Sequence, residues 1–210
     1  MSILHKLDQR VQKVKSLLCV GLDSDISRLP VRFLKQEYPQ YEFNKWIIEQ
    51  THQFVCAYKP NPAFYESRGH RGWKELEMTT QYLQANYPDI FLIVDAKRGD
   101  IGSTGKHYMV AVLDNLGADA ITLSPYLGKV AIESLLARKD KAIIILARTS
   151  NPGAGEFQDL MVNDKPIWQH VAYQVSTDWN DNGNCMLVAG ATYPEELKVI
   201  RQVVGEMPLL

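Results

Sequence analysis

Two lysines and two aspartates are spaced so that they could form one reactive cluster. Asp95 and Lys97 stand two positions apart at the end of the apolar run IFLIVDAK, and Asp100 follows after Gly99, where the chain can turn. Side chains two positions apart on a strand point to the same face, with Cα atoms roughly 6–7 Å apart. Lys59 ends another apolar run, FVCAYKPN. Because an isolated buried charge is costly, we expect the four charges to converge and balance one another.

A structural ion-pair network at a strand edge is the alternative explanation, since such networks also perturb pKa values. The polar pattern, however, extends to the ends of other apolar runs, which makes a purely structural role harder to justify. We therefore interpret these strand ends as parts of one site. The further candidates are Asp23, Ser124, Thr149, Ser150 and Asn151.

Short apolar runs alternate with segments of helical periodicity along the chain, which predicts a parallel sheet covered by helices. Polar ends on apolar strands favour a β/α barrel, in which functional groups gather at the strand C-termini. An open doubly wound sheet is disfavoured because no GxGxxG or P-loop follows any strand. The predicted helices cover residues 4–16, 42–53, 72–86, 103–116, 129–138, 165–180 and the segment PEELKVIRQVV. The predicted strands lie in LLCVGLD, FVCAYKPN, IFLIVDAK, ADAITLSPY, KAIIILARTSN and CMLVAGAT, and MPLL begins another apolar run.

Composition excludes several classes of protein. Hydrophobic residues make up 46% of the 210 positions and the net charge is −1, so a core can form and a general nucleic-acid or membrane-surface binder is not expected. The N-terminal segment has no uninterrupted apolar stretch of the kind found in signal peptides, and no window reaches the length of a membrane span. Cys19, Cys56 and Cys185 lie apart in apolar runs, which indicates buried free thiols and a reducing cytoplasm.

Six segments resemble, in order and spacing, those of the bacterial long-chain branch of the orotidine 5′-phosphate decarboxylase family. They are VGLD, AYKPNPAFYE, DAKRGDIGSTG, SPYLG, ARTSNPGAGEFQ and GATYPEEL. The third contains the family's Asp-x-Lys-x-x-Asp-Ile motif, part of which related sugar-phosphate decarboxylases share. The resemblance runs from about residue 5 to the last residue.

The resemblance implies a single-domain TIM (β/α)8 barrel over residues 1–210, incomplete, with about six strand–helix units and the start of a seventh strand. It also implies conversion of orotidine 5′-monophosphate to uridine 5′-monophosphate in de novo pyrimidine biosynthesis. That reaction is a decarboxylation that needs no metal and no organic cofactor. A cytoplasmic homodimer with a nucleotide monophosphate as its substrate is expected, and neither nucleic acid nor membrane is an expected partner.

The resemblance also assigns roles to the candidate residues. Lys97 stabilises the carbanion at C6 and supplies its proton, Asp95 lies near the leaving carboxylate, and Lys59 bridges Asp95 and the ribose. Asp100 reaches the ribose of the neighbouring subunit. The expected substrate contacts are Asp23 at the ribose hydroxyls, Ile101 and Thr104 beside Asp100, Ser124 at the pyrimidine, and the loop of Thr149, Ser150 and Asn151 along the substrate.

The family binds its phosphate late in the chain, where backbone N–H groups and a helix N-terminus suit an anion. Met207-Pro208-Leu209-Leu210 stands where the seventh strand begins, so both phosphate-binding loops are expected to be absent from these residues. We favour a longer natural protein over a genuine fragment, because an open barrel exposes sheet edges. If these residues are the whole protein, we expect very little catalysis, since remote phosphate contacts supply much transition-state binding.

Three other functions remain open. A metal-dependent sugar-phosphate decarboxylase would hold Mg²⁺ with acidic side chains and would be sensitive to a chelator. A Schiff-base aldolase would use Lys59 or Lys97 and would be trapped by borohydride, although flanking aspartates raise a lysine pKa and disfavour it. A truncated, catalytically silent barrel would dimerise or bind nucleotide without turnover.

Overall fold

The structure, a computed structural model, describes residues 2–210, which divide into two compact units. The division passes inside two strands, between Ala96 and Lys97 and between Ile121 and Thr122, and inside a helix, between His107 and Tyr108. The single-domain organisation expected from the sequence stays a prediction. The first unit consists of Ile3–Ala96 and Tyr108–Ile121, and the second of Ser2, Lys97–His107 and Thr122–Leu210.

The first unit alternates helices with parallel strands. Ala57 of the second strand lies opposite Cys19 of the first and Phe91 of the third. Its core contains strand residues such as Ile93 and helix residues such as Leu76. The elements are α1 (Leu4–Val14), β1 (Cys19–Gly21), α2 (Val31–Leu34), α3 (Pro39–Thr51), β2 (Ala57–Lys59), α4 (Ala63–Glu66), α5 (Gly69–Asn86) and the first part of β3 (Phe91–Arg98).

The second unit continues the alternation and begins with the last residues of β3. Its two long strands pair in parallel, with Ile144 opposite Met186. The following elements are α6 (Gly102–Met109), β4 (Ala120–Leu123), α7 (Glu133–Leu136), β5 (Ala142–Arg148), α8 (Gly155–Gln158), β6 (Met161–Val162), β7 (Lys165–Pro166), α9 (Ile167–Gln174), β8 (Cys185–Ala189) and α10 (Pro194–Val204). The end of α6, the π-helical turn Val110–Asn115 and the start of β4 belong to the first unit.

The larger sheet has its strands hydrogen-bonded in the order β1-β2-β3-β4-β5-β8. Each predicted apolar run holds a strand, and each predicted helical segment holds a helix. The last residues also behave as expected of a further strand: Leu209 forms a parallel bridge with Leu187, and the Leu210 N–H donates to the Leu187 carbonyl at 2.8 Å. The apolar run at the end of the sequence therefore pairs with β8.

Some details of the prediction were wrong. The helix expected from residue 165 begins at Ile167, because Lys165–Pro166 pairs with β6 in a hairpin. The two loop residues of that hairpin, Asn163 and Asp164, have φ of 47° and 60°, which these residue types tolerate in tight hairpins. Segment 129–138 contains a 3₁₀ turn and the short α7 rather than one helix.

The three cysteines are free thiols, as the sequence predicted. Cys56 and Cys185 are buried, whereas Cys19 is half-buried. Among residues 2–210, no helix is both long enough and apolar enough to cross a membrane.

A fully buried carboxylate from α5 holds the beginning of α3. Glu75 accepts the backbone N–H groups of Gln40 at 2.6 Å and Tyr41 at 3.0 Å, and it pairs with the Arg68 guanidinium at 2.5 Å. These amides lie in the first turn of α3, where N–H groups have no partner inside the helix. The residue before that turn, Tyr38, provides no side-chain cap. Glu75 thus supplies the cap from a second helix.

We expect Glu75→Ala to lower the free energy of unfolding by about 3 kcal/mol, because it removes the acceptor of two buried amides and the partner of Arg68. Urea titration followed by circular dichroism measures the change. Glu77→Ala on the same helix is the matched control, since the half-buried Glu77 side chain pairs with the exposed Lys74 at 3.7 Å; its loss should cost less than about 0.5 kcal/mol. Equal losses in the two variants would contradict the capping role.

Candidate active site

The first unit places three predicted site residues at neighbouring strand ends. The Leu22 N–H donates to the Lys59 carbonyl at 3.1 Å, and the Asp95 N–H donates to the Pro60 carbonyl at 2.9 Å. Because β1, β2 and β3 are parallel, the residues that end them emerge at one edge of the sheet. Asp23, Lys59 and Asp95 are therefore brought to the same edge, as predicted.

Lys59 and Asp95 form an ion pair of low exposure. The Lys59 Nζ lies 3.1 Å from Asp95 Oδ2, and Asp95 is only 9% exposed. A carboxylate in such a position needs an opposite charge close by, and Lys59 supplies it. Asp23, by contrast, is exposed to solvent beyond the end of β1.

The charges of Asp23, Lys59 and Asp95 all affect the pKa of the Cys19 thiol. Burial raises its pKa to about 12; the Lys59 ammonium acts in the opposite direction, and Cys56, Asp23 and Asp95 raise it further. Cys19 is therefore protonated at neutral pH and packs beside the charges as an uncharged group. It can also serve as a probe of their balance that does not depend on catalysis.

Lys97 has an unusual backbone conformation. Its φ is 48°, which places it in the left-handed region, where a residue with a Cβ atom costs about 1–2 kcal/mol. Its N–H donates at 2.9 Å to the side-chain hydroxyl of Thr122, a fully buried residue of β4. The regular alternation that predicted a shared face for Asp95 and Lys97 is therefore interrupted at Lys97. Strain of this kind collects at functional sites.

The register between β3 and β4 contains one extra residue on β3. The Asp119 N–H donates to the Leu92 carbonyl, and the Ser124 N–H donates to the Arg98 carbonyl, both at 2.9 Å. Between these two bonds β3 advances by six residues and β4 by five. An extra residue of this kind is a β-bulge, a feature that re-aims side chains next to active sites. The left-handed Lys97 lies within this stretch.

Asp100, Ile101 and Thr104 lie where β3 leads into α6. The Asp100 Oδ1 accepts the Ile101 N–H at 2.8 Å, and a Cβ atom added to Gly105 would approach the Asp100 carbonyl to 2.4 Å. Close packing thus fixes the turn around Asp100. Ile101 is 62% exposed and Thr104 is also exposed, so these two side chains face outward from the second unit.

Ser124 follows β4 and lies against the turn after Lys97. A Cβ atom added to Gly99 would lie 3.2 Å from the Ser124 carbonyl, so a glycine allows the two segments to approach each other. Ser124 is half-buried. The structure therefore brings Ser124 next to the segment that carries Lys97 and Asp100.

The loop after β5 holds Thr149, Ser150 and Asn151 in a defined arrangement. The Thr149 hydroxyl donates to Asn151 Oδ1 at 2.7 Å, and Gln158 binds both the N–H and the hydroxyl of Thr149 at 2.9 and 2.8 Å. Ser150 lies against Gly190, where an added Cβ would be 3.3 Å from the Ser150 Cβ. All three predicted residues thus sit together at the end of β5.

Arg148 holds the start of this loop in place, although it was not identified as a site residue from the sequence. It is 3% exposed, pairs with Glu196 and, at 3.1 Å, with Asp159, and stacks 4.2 Å from the centre of the Tyr193 ring. An arginine at the last position of a buried strand requires acidic partners, which is the signal that could have identified it. The roles of the predicted site residues themselves stay predictions. Among residues 2–210, no group of three or more His, Cys, Asp or Glu side chains could hold a metal ion.

Comparison with known proteins identifies the family. The family described as orotidine 5′-phosphate decarboxylase / HUMPS matches residues 16–208. The chain belongs to this family. A protein of Christiangramia forsetii named orotidine 5′-phosphate decarboxylase is 46% identical over 206 residues, which cover 98% of this chain and 75% of that protein. A protein of the same name from Herpetosiphon aurantiacus is 48% identical over 197 residues, which cover 93% and 73%.

The solved structures agree with the predicted fold class. The OMP decarboxylase of Leishmania donovani aligns with a TM-score of 0.89 and 38% sequence identity, over 100% of this chain and 78% of that one. The prediction of a TIM barrel that is incomplete in this chain is therefore confirmed.

Thiol labelling tests the charge arrangement around Cys19. Because its pKa is about 12, iodoacetamide should modify native Cys19 slowly at pH 8, and the rate should rise about tenfold per pH unit up to pH 11. Asp95→Asn removes a negative charge and should speed the reaction, whereas Lys59→Met removes the positive charge and should slow it. Peptide mass spectrometry measures the rates.

Cys185 is the internal control for this experiment. Burial and Asp181 raise its pKa, so both variants should leave its labelling rate unchanged. A change of the same sign in both variants, at Cys19, would contradict the charge arrangement described above.

Proposed function

We propose that the chain is a carboxy-lyase that converts orotidine 5′-monophosphate to uridine 5′-monophosphate in de novo pyrimidine biosynthesis, without metal or organic cofactor. Membership of the family and the names of the curated relatives support this proposal. One observation carries it most directly. The Asp-x-Lys-x-x-Asp-Ile motif ends β3 with Asp95 buried against Lys59 and with Lys97 in a left-handed conformation.

Lys97 is the proposed acid. Cleavage of the bond between C6 and the carboxylate releases CO2 and leaves the electron pair on C6, where no adjacent group can accept it. The ammonium of Lys97 stabilises that pair and then transfers a proton to C6. The products are CO2 and uridine 5′-monophosphate, and Lys97 regains its proton from water.

Asp95 and Lys59 prepare the site for this step. Asp95 lies near the leaving carboxylate, and Lys59, 3.1 Å from Asp95, bridges Asp95 and the ribose. The adjacent ammonium favours the ionised form of a carboxylate. A fixed pair of this kind needs little reorganisation during the reaction, which is how preorganised charges lower a barrier.

The remaining residues bind the substrate. Asp23 accepts hydrogen bonds from the ribose hydroxyls, and Ser124 contacts the pyrimidine. The hydrogen-bonded loop after β5 borders the substrate through its first three residues. These are Thr149, Ser150 and Asn151.

A homodimer completes the proposed site. Asp100, with Ile101 and Thr104, binds the ribose held by the other subunit. The outward position of Ile101, 62% exposed, supports this arrangement, since an apolar side chain on the surface gains from burial at an interface.

We further propose that the protein works in the cytoplasm. Its three free cysteines suit a reducing compartment. Recovery of the native protein mainly outside the cytosolic fraction of its cells would contradict this.

The decarboxylation is tested by loss of orotidine absorbance in the presence of EDTA. We expect turnover by the chain completed with the C-terminal segment of the Christiangramia forsetii relative, and far less by the 210 residues alone. Lys97→Ala should lower kcat by about 10³-fold or more. Lys139→Ala, at an exposed lysine, should leave kcat unchanged.

Two results would overturn the assignment. A folded, completed chain without any turnover would reject orotidine 5′-monophosphate as the substrate. Activity lost in EDTA and restored by Mg²⁺ would favour the metal-dependent sugar-phosphate decarboxylase instead.

Mixing inactive variants of the completed chain tests the shared site. Lys97→Ala and Asp100→Ala homodimers each lack one residue in both sites, whereas a mixed dimer contains one complete site. Unfolding and refolding an equal mixture should therefore restore about a quarter of the wild-type activity, because half the dimers are mixed and each has one active site. Activity no greater than the sum of the separate variants would place Asp100 within its own subunit.

A further inference from the structure

We propose that Thr122 is a positioning residue for Lys97, whose backbone it holds in the left-handed conformation through its side-chain hydroxyl. Thr122 itself does not touch the substrate. The inference rests on the proposed role of Lys97 in decarboxylation, but the hydrogen bond that carries it is independent of that role. That bond joins the Lys97 N–H to Thr122 Oγ1 at 2.9 Å.

The bond lies beside the main-chain hydrogen bonds of the sheet and has a side chain as its acceptor. In a regular parallel ladder, a strand N–H that faces its neighbour donates to a backbone carbonyl. At Lys97, within the stretch where β3 carries one extra residue, the acceptor is a side chain instead. The main-chain ladder is present again at Arg98, whose carbonyl accepts the Ser124 N–H. The hydroxyl thus satisfies the amide that the bulge displaces.

Thr122 is suited to this task by its place and by its shape. It is fully buried on β4, and its neighbours Ile121 and Leu123 are fully buried as well. A β-branched side chain has few rotamers, so the position of its oxygen is set by the strand. The hydrogen bond to Thr122 Oγ1 is partly shielded from water, and a shielded amide without an acceptor is unfavourable. Without the hydroxyl the Lys97 backbone would be driven toward another conformation.

The expected effect is on the chemical step. The backbone angle at Lys97 decides the direction of its Cα–Cβ bond and hence the starting point of the long side chain. A small misplacement of a reacting group lowers the rate strongly even when binding is intact. Loss of the hydroxyl should therefore lower kcat and leave KM nearly unchanged, which a general loss of folding would not do.

Amide hydrogen exchange tests the bond without any need for activity. In the 210-residue chain labelled with ¹⁵N-lysine, Thr122→Val should raise the exchange rate of the Lys97 amide by about tenfold, because valine keeps the shape and removes the oxygen. Thr122→Ser restores an oxygen and should retain protection. Thr122→Ala serves as a second test if the valine variant does not fold. Unchanged exchange in both the valine and alanine variants would overturn the proposal.

Kinetics on the completed chain test the consequence. Thr122→Val should lower kcat by about 10- to 100-fold, with the serine variant close to wild type. Thr80→Val, which removes a fully buried hydroxyl that donates to the Glu77 carbonyl in α5, controls for the substitution itself and should change neither kcat nor Lys97 exchange. Faster exchange with an unchanged kcat would overturn the positioning role. If the parent shows no decarboxylation, the proposed function fails, while the exchange result still decides whether Thr122 holds Lys97.

Discussion

The buried ion pair between Lys59 and Asp95 is the constraint on which the proposed site depends. Removal of a carboxylate from water is unfavourable by several kcal/mol unless an opposite charge lies close, and the parallel register of β1, β2 and β3 brings that charge to within 3.1 Å. Replacement of such a pair by apolar residues commonly stabilises a fold. Stability alone is therefore a weak explanation for its presence at the strand ends, and the proposed function gives the pair a role.

The second feature is the contrast between the two ends of the motif on β3. Residues up to Asp95 are extended and buried, whereas Lys97 is exposed and has a left-handed backbone. The Asp95 carboxylate is thus held in place by burial, whereas Lys97, two positions later, is restricted by its backbone geometry. A lysine whose side chain is largely in solvent has many rotamers, so a fixed backbone is the means by which the fold can restrict its ammonium.

The features that follow from the periodicity of apolar residues could be predicted from the sequence. Apolar runs and helical spacing predicted every strand of the larger sheet, and the polar residues at their ends predicted the Lys59–Asp95 contact. The left-handed conformation of Lys97 was not predictable in this way, because it depends on a side-chain acceptor 25 positions later and on a one-residue shift between strands. Local pattern carries no information about register between strands. The Asn163-Asp164 turn, in contrast, is a local signal that was available.

Buried charges also fix the backbone at the end of β5 and at the beginning of α3. Arg148 lies buried at the end of β5, pairs with Asp159 after α8 and with Glu196 of α10, and precedes the loop that begins at Thr149. Glu75 holds the first turn of α3 from a neighbouring helix. In each case a buried charged side chain with several partners fixes the backbone. The residues proposed to contact the substrate are different ones, which follow the buried side chain in the chain or lie elsewhere in the same unit. A loop proposed to bind substrate can then vary in sequence without loss of position, provided that its buried anchor is kept, because the anchor contributes the packing and the buried ion pairs.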